Sequence, residues 1–139
     1  MHETVNVLIV EDSKTERFWE EKVLRGLGCE VNTAEDGLEA LKYLMQHGEA
    51  DMVLLDWNMP RMNGADFMRE LRKNADLDHL KVLVVTGMDE REAMTCLEAG
   101  ADEYWIKGAS TLALKNRVTN LIKLISLERK LTKIKAILD

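Results

Sequence analysis

The chain has 139 residues, 46% of them hydrophobic and 32% charged, with one proline and two cysteines. That length suits one domain whose core holds without disulfides or structural metal. No apolar run reaches the roughly 20 residues of a membrane helix, and no signal-peptide pattern opens the chain. The net charge of −6 is uneven: residues 1–109 sum to −11 and residues 110–139 to +5. An acidic body with a basic tail argues against broad nucleic-acid binding by the body, while the tail stays open to other readings, and no membrane partner is expected. Cys29 and Cys96 are far apart, with no metal or redox spacing, and read as free thiols of a reducing, cytoplasmic compartment. His2, His47 and His79 are scattered and read as surface residues.

Val5 to Val10 is an apolar, β-branched run, expected as the first strand, and it breaks at Glu11-Asp12-Ser13. Asp12 or Ser13 caps the helix that follows, which carries Phe18, Val23 and Leu27 and stops at Gly26 or Gly28. Cys29 to Ala34 is a short second strand. Asp36 and Gly37 open a second helix with Leu38, Leu41, Leu44 and Met45 on one face, closed by Gly48. Met52 to Leu55 is a third strand, apolar throughout, and Asp56 stands at its end. Asp56 lies eight residues before Gly64, too far to cap the next helix, so Asn63 is the better cap. That helix runs from about Gly64 to Asn74. Lys81 to Thr86 is a fourth strand, broken at Gly87. A helix from about Glu90 to Ala99, a strand from Glu103 to Lys107 and a long helix from about Ser110 complete the chain.

Five strands alternating with five helices imply an α/β fold: a doubly wound, five-stranded parallel sheet covered on both faces. Right-handed crossovers limit the topology to a doubly wound sheet, and the flavodoxin-like order 2-1-3-4-5, already known for such sheets, is expected. In such a sheet every strand ends at the same edge, where ligands bind. The strands then deliver Glu11 and Asp12, Asp56, Thr86 and Lys107 to one pocket. A lone acid at a strand end is usually just solvated. Three acids repel one another and call for a cation, and hard oxygen ligands with room for water suit Mg²⁺. The set suits phosphoryl transfer: Asp56, on the central strand, is the nucleophile, and Asp12 and Asp56 share Mg²⁺ with the incoming phosphoryl oxygens. Lys107 and the Thr86 hydroxyl hold its other oxygens.

The segments Ile9-Val10-Glu11-Asp12-Ser13, Leu55-Asp56-Trp57-Asn58-Met59-Pro60 with Asn63-Gly64, Val85-Thr86-Gly87, and Gly100 through Lys107 carry a resemblance. In order and spacing the chain resembles the receiver domain of bacterial response regulators, of the chemotaxis type, over residues from about 5 to 120. The resemblance implies that a histidine kinase or phosphotransfer protein phosphorylates Asp56. It implies that Glu11, Asp12 and the backbone carbonyl of Asn58 join Asp56 in holding Mg²⁺. It also implies that Thr86 shifts toward the phosphoryl group and Tyr104 turns inward, remodelling the face of helix four, strand five and helix five for a downstream protein target. Read without it, Thr86 is an ordinary β-former and Tyr104 an amphipathic edge residue. By the same resemblance Asn58 and Met88, which flank the site, tune the phosphoryl lifetime. The sequence departs from the family at Gly108, where the family usually has proline after the lysine, often cis. A trans bond or an altered loop is expected there.

Residues 1–120 are expected as the receiver and 121–139 as a protruding extension of helix five. Leu114, Val118, Leu121 and Ile125 share one face, suited to the sheet. Leu124, Leu127, Leu131, Ile134 and Leu138 form a second face with the 3-4 spacing of a coiled coil, rotated by roughly 140°. The bland reading of this stripe is a fraying helix end, since about two heptads is short. Self-association to a homodimer is the favoured one. A parallel pair sets Lys123 opposite Glu128 but Lys130 opposite Lys135, so an antiparallel pair or a heterologous helix stays open.

The chain therefore reads as a phosphorylation-controlled interaction module that catalyses only its own phosphorylation and slow dephosphorylation. It either stands alone or is the N-terminal receiver of a longer regulator whose signalling helix begins in the tail. A dehalogenase-like phosphatase would carry a second Asp two residues after the nucleophile, where this chain has Asn58. A flavin-binding module would need a phosphate cradle after strand one, where Glu11 and Asp12 repel phosphate.

Overall fold

Successive side chains of a strand point to opposite faces, so a run that is apolar at every position is a strand covered twice. The computed structural model describes residues 4–47, 49–87 and 89–139, and it bears out this pattern. His2, Gly48 and Met88 lie outside the described residues. The elements are β1 (Asn6–Val10), α1 (Lys14–Gly26), β2 (Glu30–Ala34), α2 (Gly37–His47), β3 (Met52–Asp56), α3 (Gly64–Lys73), β4 (Lys81–Thr86), α4 (Glu90–Glu98), β5 (Glu103–Ile106) and α5 (Thr111–Leu138). A 3-10 turn at Ala75–Leu77, for which the sequence raised no expectation, joins α3 to β4. All strand pairs are parallel, in the order β2-β1-β3-β4-β5.

The alternation splits the core in two. Leu8, Val10, Val53, Leu55, Val82 and Val84 face α2, α3 and α4, where Leu41, Leu44, Phe67 and Leu71 meet them. Ile9, Met52, Leu54, Leu83, Val85 and Trp105 face α1 and α5, against Leu24, Leu114, Val118 and Leu121. Two expectations about helix faces need correction. On α2, Leu38 and Met45 are exposed, and Ala40 joins Leu41 and Leu44 in the core. On α1, Phe18 is 63% exposed, and Leu24 is the fully buried residue. Spacing alone placed the centre of each apolar stripe a little off the face that the sheet covers. Cys29 and Cys96 are buried free thiols in different halves of the core.

Side-chain caps set where the helices begin. Ser13 caps α1, its hydroxyl accepting the Glu16 N–H at 3.3 Å, which settles the choice between Asp12 and Ser13. Asn63 caps α3, accepting the Asp66 N–H at 2.9 Å, and Ser110 caps α5, accepting the Ala113 N–H at 3.1 Å. The turn into α3 also depends on Gly64, because a Cβ there would stand 2.9 Å from Trp57 Cα and closer still to the indole.

α5 runs antiparallel to the strands. Its start lies by Trp105, whose indole N–H donates to the Ser110 carbonyl at 3.1 Å. Near its far end Arg129 pairs with Asp51 at 2.7 Å, and Glu128 with Lys81 at 2.7 Å, both at strand beginnings. Leu114, Val118, Leu121 and Ile125 are buried as expected, so packing on the sheet runs to Ile125. Beyond Arg129 every residue is exposed. The second stripe is open along its length, from 40% exposure at Leu124 to 79% at Leu138. It emerges at the edge opposite Asp56.

Gly64→Ala is expected to destabilise the fold by about 1–3 kcal/mol, the cost of overpacking against a fixed ring and backbone. Urea unfolding measures it, and an unchanged midpoint would contradict the close approach of Gly64 to Trp57.

Candidate functional site

β3 carries Asp56 to the carboxyl edge as the first polar residue after four buried apolar ones. Asp56 is itself buried, at 4% exposure, and its Oδ1 accepts the Asn58 backbone N–H at 3.2 Å. β1 ends beside it and delivers Glu11, buried at 1%, and Asp12, which is exposed. One carboxylate oxygen from each of Glu11, Asp12 and Asp56 lies within 4.8 Å of the others, the one such group of three among the described residues. Glu11 Oε1 is buried with no hydrogen-bond partner.

Burial shapes the charges here. Loss of water, then hydrogen bonding with Asp56 and Glu16 and repulsion from Asp56 and Glu20, pushes the Glu11 carboxyl far up. Asp56 is also raised, chiefly by burial, although Glu11, Lys107 and the Asn58 N–H act against this. The cluster thus keeps protons that exposed carboxyls would lose. A donor set of three carboxylate oxygens, one orphaned and one facing water through Asp12, fits a hard divalent cation that retains water ligands.

Lys107 arrives just after β5, at 3.8 Å from Asp56 Oδ1 and 3.7 Å from Glu11 Oε1. The hydrogen bond of its ammonium goes elsewhere, to Glu16 Oε2 on α1 at 2.8 Å. Burial alone would lower the Lys107 pKa, yet the bond to Glu16 and the surrounding carboxylates hold it above its ordinary value. Glu16 is correspondingly lowered, first by a hydrogen bond with Glu11 and then by Lys107. The bond to Gly108 is trans, and Gly108 has φ +93, a conformation closed to the family's usual proline.

The two other expected residues sit on α4's side. The Thr86 hydroxyl donates to Glu92 Oε1, and the same oxygen accepts the Asn58 side-chain amide at 3.3 Å. The Tyr104 hydroxyl donates to Glu90 at 2.9 Å, which raises its pKa, and Arg117 lies 4.7 Å over its ring. The structure therefore brings Glu11, Asp12, Asp56, Thr86 and Lys107 to one edge and places Tyr104 on the flank of α4.

Sequence reasoning missed four glutamates: Glu16 and Glu20 on α1, and Glu90 and Glu92 on α4. A usable signal existed on α1. Glu16 and Glu20 are four apart, and so share a helix face. Glu20 is 3% exposed, with Oε1 unpartnered, and burial lifts its pKa to about 8.

An open parallel sheet of this order, with an acidic triad and a lysine at its carboxyl edge, has the flavodoxin-like receiver architecture. The family model "Response regulator receiver domain" matches residues 7–119, and the chain belongs to that family. It is 34% identical over 125 residues to the chemotaxis protein CheY-3 of Vibrio cholerae, an alignment covering 88% of this chain and 95% of that protein. A putative response regulator from Chloroflexus aurantiacus superposes with a TM-score of 0.81 at 30% identity, covering 87% of this chain and 99% of that one. A probable two-component system response regulator/GGDEF domain protein gives a TM-score of 0.81 at 28% identity, covering 88% of this chain and 50% of that chain. Among the described residues, no helix is long and apolar enough to cross a membrane.

Two outcomes follow from Glu20 and Gly108. The Glu20 carboxyl keeps its proton to about pH 8 in the fold but loses it from its ordinary value of 4.5 when unfolded. Between those values the unfolded state binds fewer protons, so stability falls as pH rises, by at most about 1.4 kcal/mol per pH unit. Glu20→Gln removes this fall. Its stability advantage over the wild type, measured by urea unfolding without divalent cations, should be larger at about pH 8 than at about pH 5. Gly108→Ala, where open space surrounds the site of a new Cβ, should cost about 1 kcal/mol through backbone conformation alone. A cost near zero would mean that the loop relaxes out of positive φ.

Proposed function

We propose that the chain is a phosphorylation-dependent signalling receiver whose Asp56 accepts a phosphoryl group from a phosphohistidine of a histidine kinase or phosphotransfer protein. One observation carries the reading: a buried carboxylate ends the central strand with two further carboxylates and a lysine ammonium within 4.8 Å of it. An Asp56 oxygen attacks phosphorus, the P–N bond breaks, and the imidazole leaves with its electron pair and takes a proton from solvent. The product is an acyl phosphate. Water later attacks it, returning the carboxylate and inorganic phosphate.

Glu11, Asp12, Asp56 and the Asn58 carbonyl would hold Mg²⁺, which when bound neutralises the charge that gathers on the phosphoryl oxygens. Lys107 supplies an ammonium to the same oxygens, and Thr86 a hydroxyl donor. The Thr86 hydroxyl must leave Glu92 to do so, and Tyr104 turns inward from Glu90. Both contacts lie in the first turn of α4, so the face of α4, β5 and α5 changes for a downstream protein target. Catalysis is confined to the chain's own Asp56. The position two residues on is Asn58, which lacks the acid a phosphoester hydrolase would use there.

The tail supports a second layer of this function. The stripe of Leu124, Leu127, Leu131, Ile134 and Leu138 joins two copies of the chain through the extension of α5. The continuation of α5 past the sheet also favours an alternative, in which this is the receiver part of a longer regulator and residues 121–139 begin a signalling helix. The probable response regulator/GGDEF domain protein, half of which the match covers, joins a response regulator to a further domain in one chain.

Incubation with phosphoramidate and Mg²⁺ should add one phosphoryl group per chain by intact mass. Asp56→Asn should reduce labelling to background, as should removal of Mg²⁺ with a chelator. Undiminished labelling of Asp56→Asn would overturn the assignment. Sedimentation in the presence and absence of beryllofluoride tests self-association, and a monomer in both conditions would exclude it.

A further inference from the structure

We propose that Glu16 is a positioning residue for Lys107. It holds the ammonium on α1 while Asp56 is unphosphorylated, and Lys107 must leave it to reach the phosphoryl group. The inference rests on Asp56 being the phosphoacceptor.

Three carboxylates surround one ammonium, but only Glu16, at 2.8 Å, is within hydrogen-bonding reach. Glu11 and Asp56 are about an ångström farther, at 3.7 and 3.8 Å. The bland account of Glu16 is a capping box, since Ser13 and Glu16 have the S-x-x-E spacing in which the glutamate side chain returns to the cap's own N–H. The structure excludes that role, because the Ser13 N–H donates to Glu11 Oε2 at 3.3 Å. The Glu16 carboxylate turns to the site instead, where it meets Glu11 and accepts the Lys107 ammonium.

The surroundings favour an ammonium that moves. A cavity of about 180 Å³ lies between α1 and the loop after β5, bounded by Glu16, Trp19, Glu20, Trp105, Lys107 and Gly108. Stacking of Trp19 on Trp105, with centroids 5.8 Å apart, forms its apolar wall. The unpartnered Glu20 oxygen adds a second polar group from α1, one turn beyond Glu16. Beyond Lys107, the Gly108 backbone has nothing within 4 Å of its Cβ position to clamp it. The pair is also partly open, with Lys107 at 32% and Glu16 at 44% exposure. Partly exposed pairs are weak, so a phosphoryl dianion at Asp56 can take the lysine from Glu16. Holding Lys107 aside slows the first transfer, because the ammonium is absent from the place where charge develops.

The full chain is labelled with phosphoramidate and Mg²⁺, and the rate at Asp56 is read by mass. Glu16→Gln, which removes the charge, should label roughly two- to fivefold faster than wild type, the range such a pair spans. Glu16→Asp, which keeps the charge but shortens the arm, should also accelerate labelling. Glu21→Gln, an equal loss of charge on the same helix but paired with Arg25, should not. The ammonium NMR signal of Lys107, assigned through Lys107→Arg, should shift in both Glu16 variants and not in Glu21→Gln. Equal or slower labelling in both Glu16 variants, or an equal acceleration in Glu21→Gln, overturns the inference while leaving the receiver reading intact. Failure of the wild-type chain to label at Asp56 overturns both.

Discussion

The structure depends on a crowd of buried carboxylates that share too little positive charge. β1 and β3 are apolar at nearly every position, and that apolarity forces them into the centre of the sheet. The same burial strips water from Glu11 and Asp56 where those strands end. The force that folds the sheet therefore raises the cost of ionising its edge. Lys107 answers this only in part, because it stands closest to a third carboxylate. A site so arranged is relieved by protons or by a divalent cation, and both act on the same oxygens.

Each polar group expected around a phosphoryl group is engaged by a glutamate from a neighbouring helix. Glu16 engages Lys107, Glu92 engages Thr86 and the Asn58 amide, and Glu90 engages Tyr104. Strand parity explains which helix does which. Glu11, Asp56 and Lys107 follow the alternation of Ile9, Leu54 and Trp105, whose side chains face α1 and α5. Thr86 follows Val82 and Val84, which face α4. The resting arrangement is thus two sets of contacts on opposite faces of one sheet, joined through Asn58, whose N–H donates to Asp56 and whose side-chain amide donates to Glu92.

Much of this was legible because strands announce themselves through apolar runs and caps through Ser, Asn and Asp. The five strands, the Ser13 and Asn63 caps, and the inner face of α5 follow from those signals, whereas the strand order came from the known doubly wound fold. The family segments also assembled at one edge because the topology leaves them nowhere else to go. The glutamates were not legible, because an acid on a helix reads as a solvated face until the neighbouring strand end is known to carry a partner. Parity would have identified Glu16: Lys107 shares the alternation of the buried strand residues that face α1. Glu20 would have followed from its spacing with Glu16. Leu38, Met45 and Phe18 went the other way, apolar residues at helical spacing that the sheet does not reach. The φ of +93 at Gly108 could not be foreseen either, since glycine accepts most backbone conformations and so specifies none.

α5 connects the crowded edge to the far side of the molecule. Its first turn is tied to Trp105 through Ser110, two residues from Lys107 in the strand alternation. Its later turns are tied to the opposite edge through Glu128 and Arg129. At about 1.5 Å per residue, these anchors lie roughly 28 Å apart along one continuous helix. The last nine helical residues would be marginal alone, because nucleating a short helix costs more than it returns. Here the packed turns have already met that cost, and the extension only propagates. Helicity of the tail is thus explained without a partner, whereas its open leucine stripe is not explained by helicity. Whatever covers that stripe meets α5 far from Asp56, and it senses the site only through how firmly the helix sits between its two anchors.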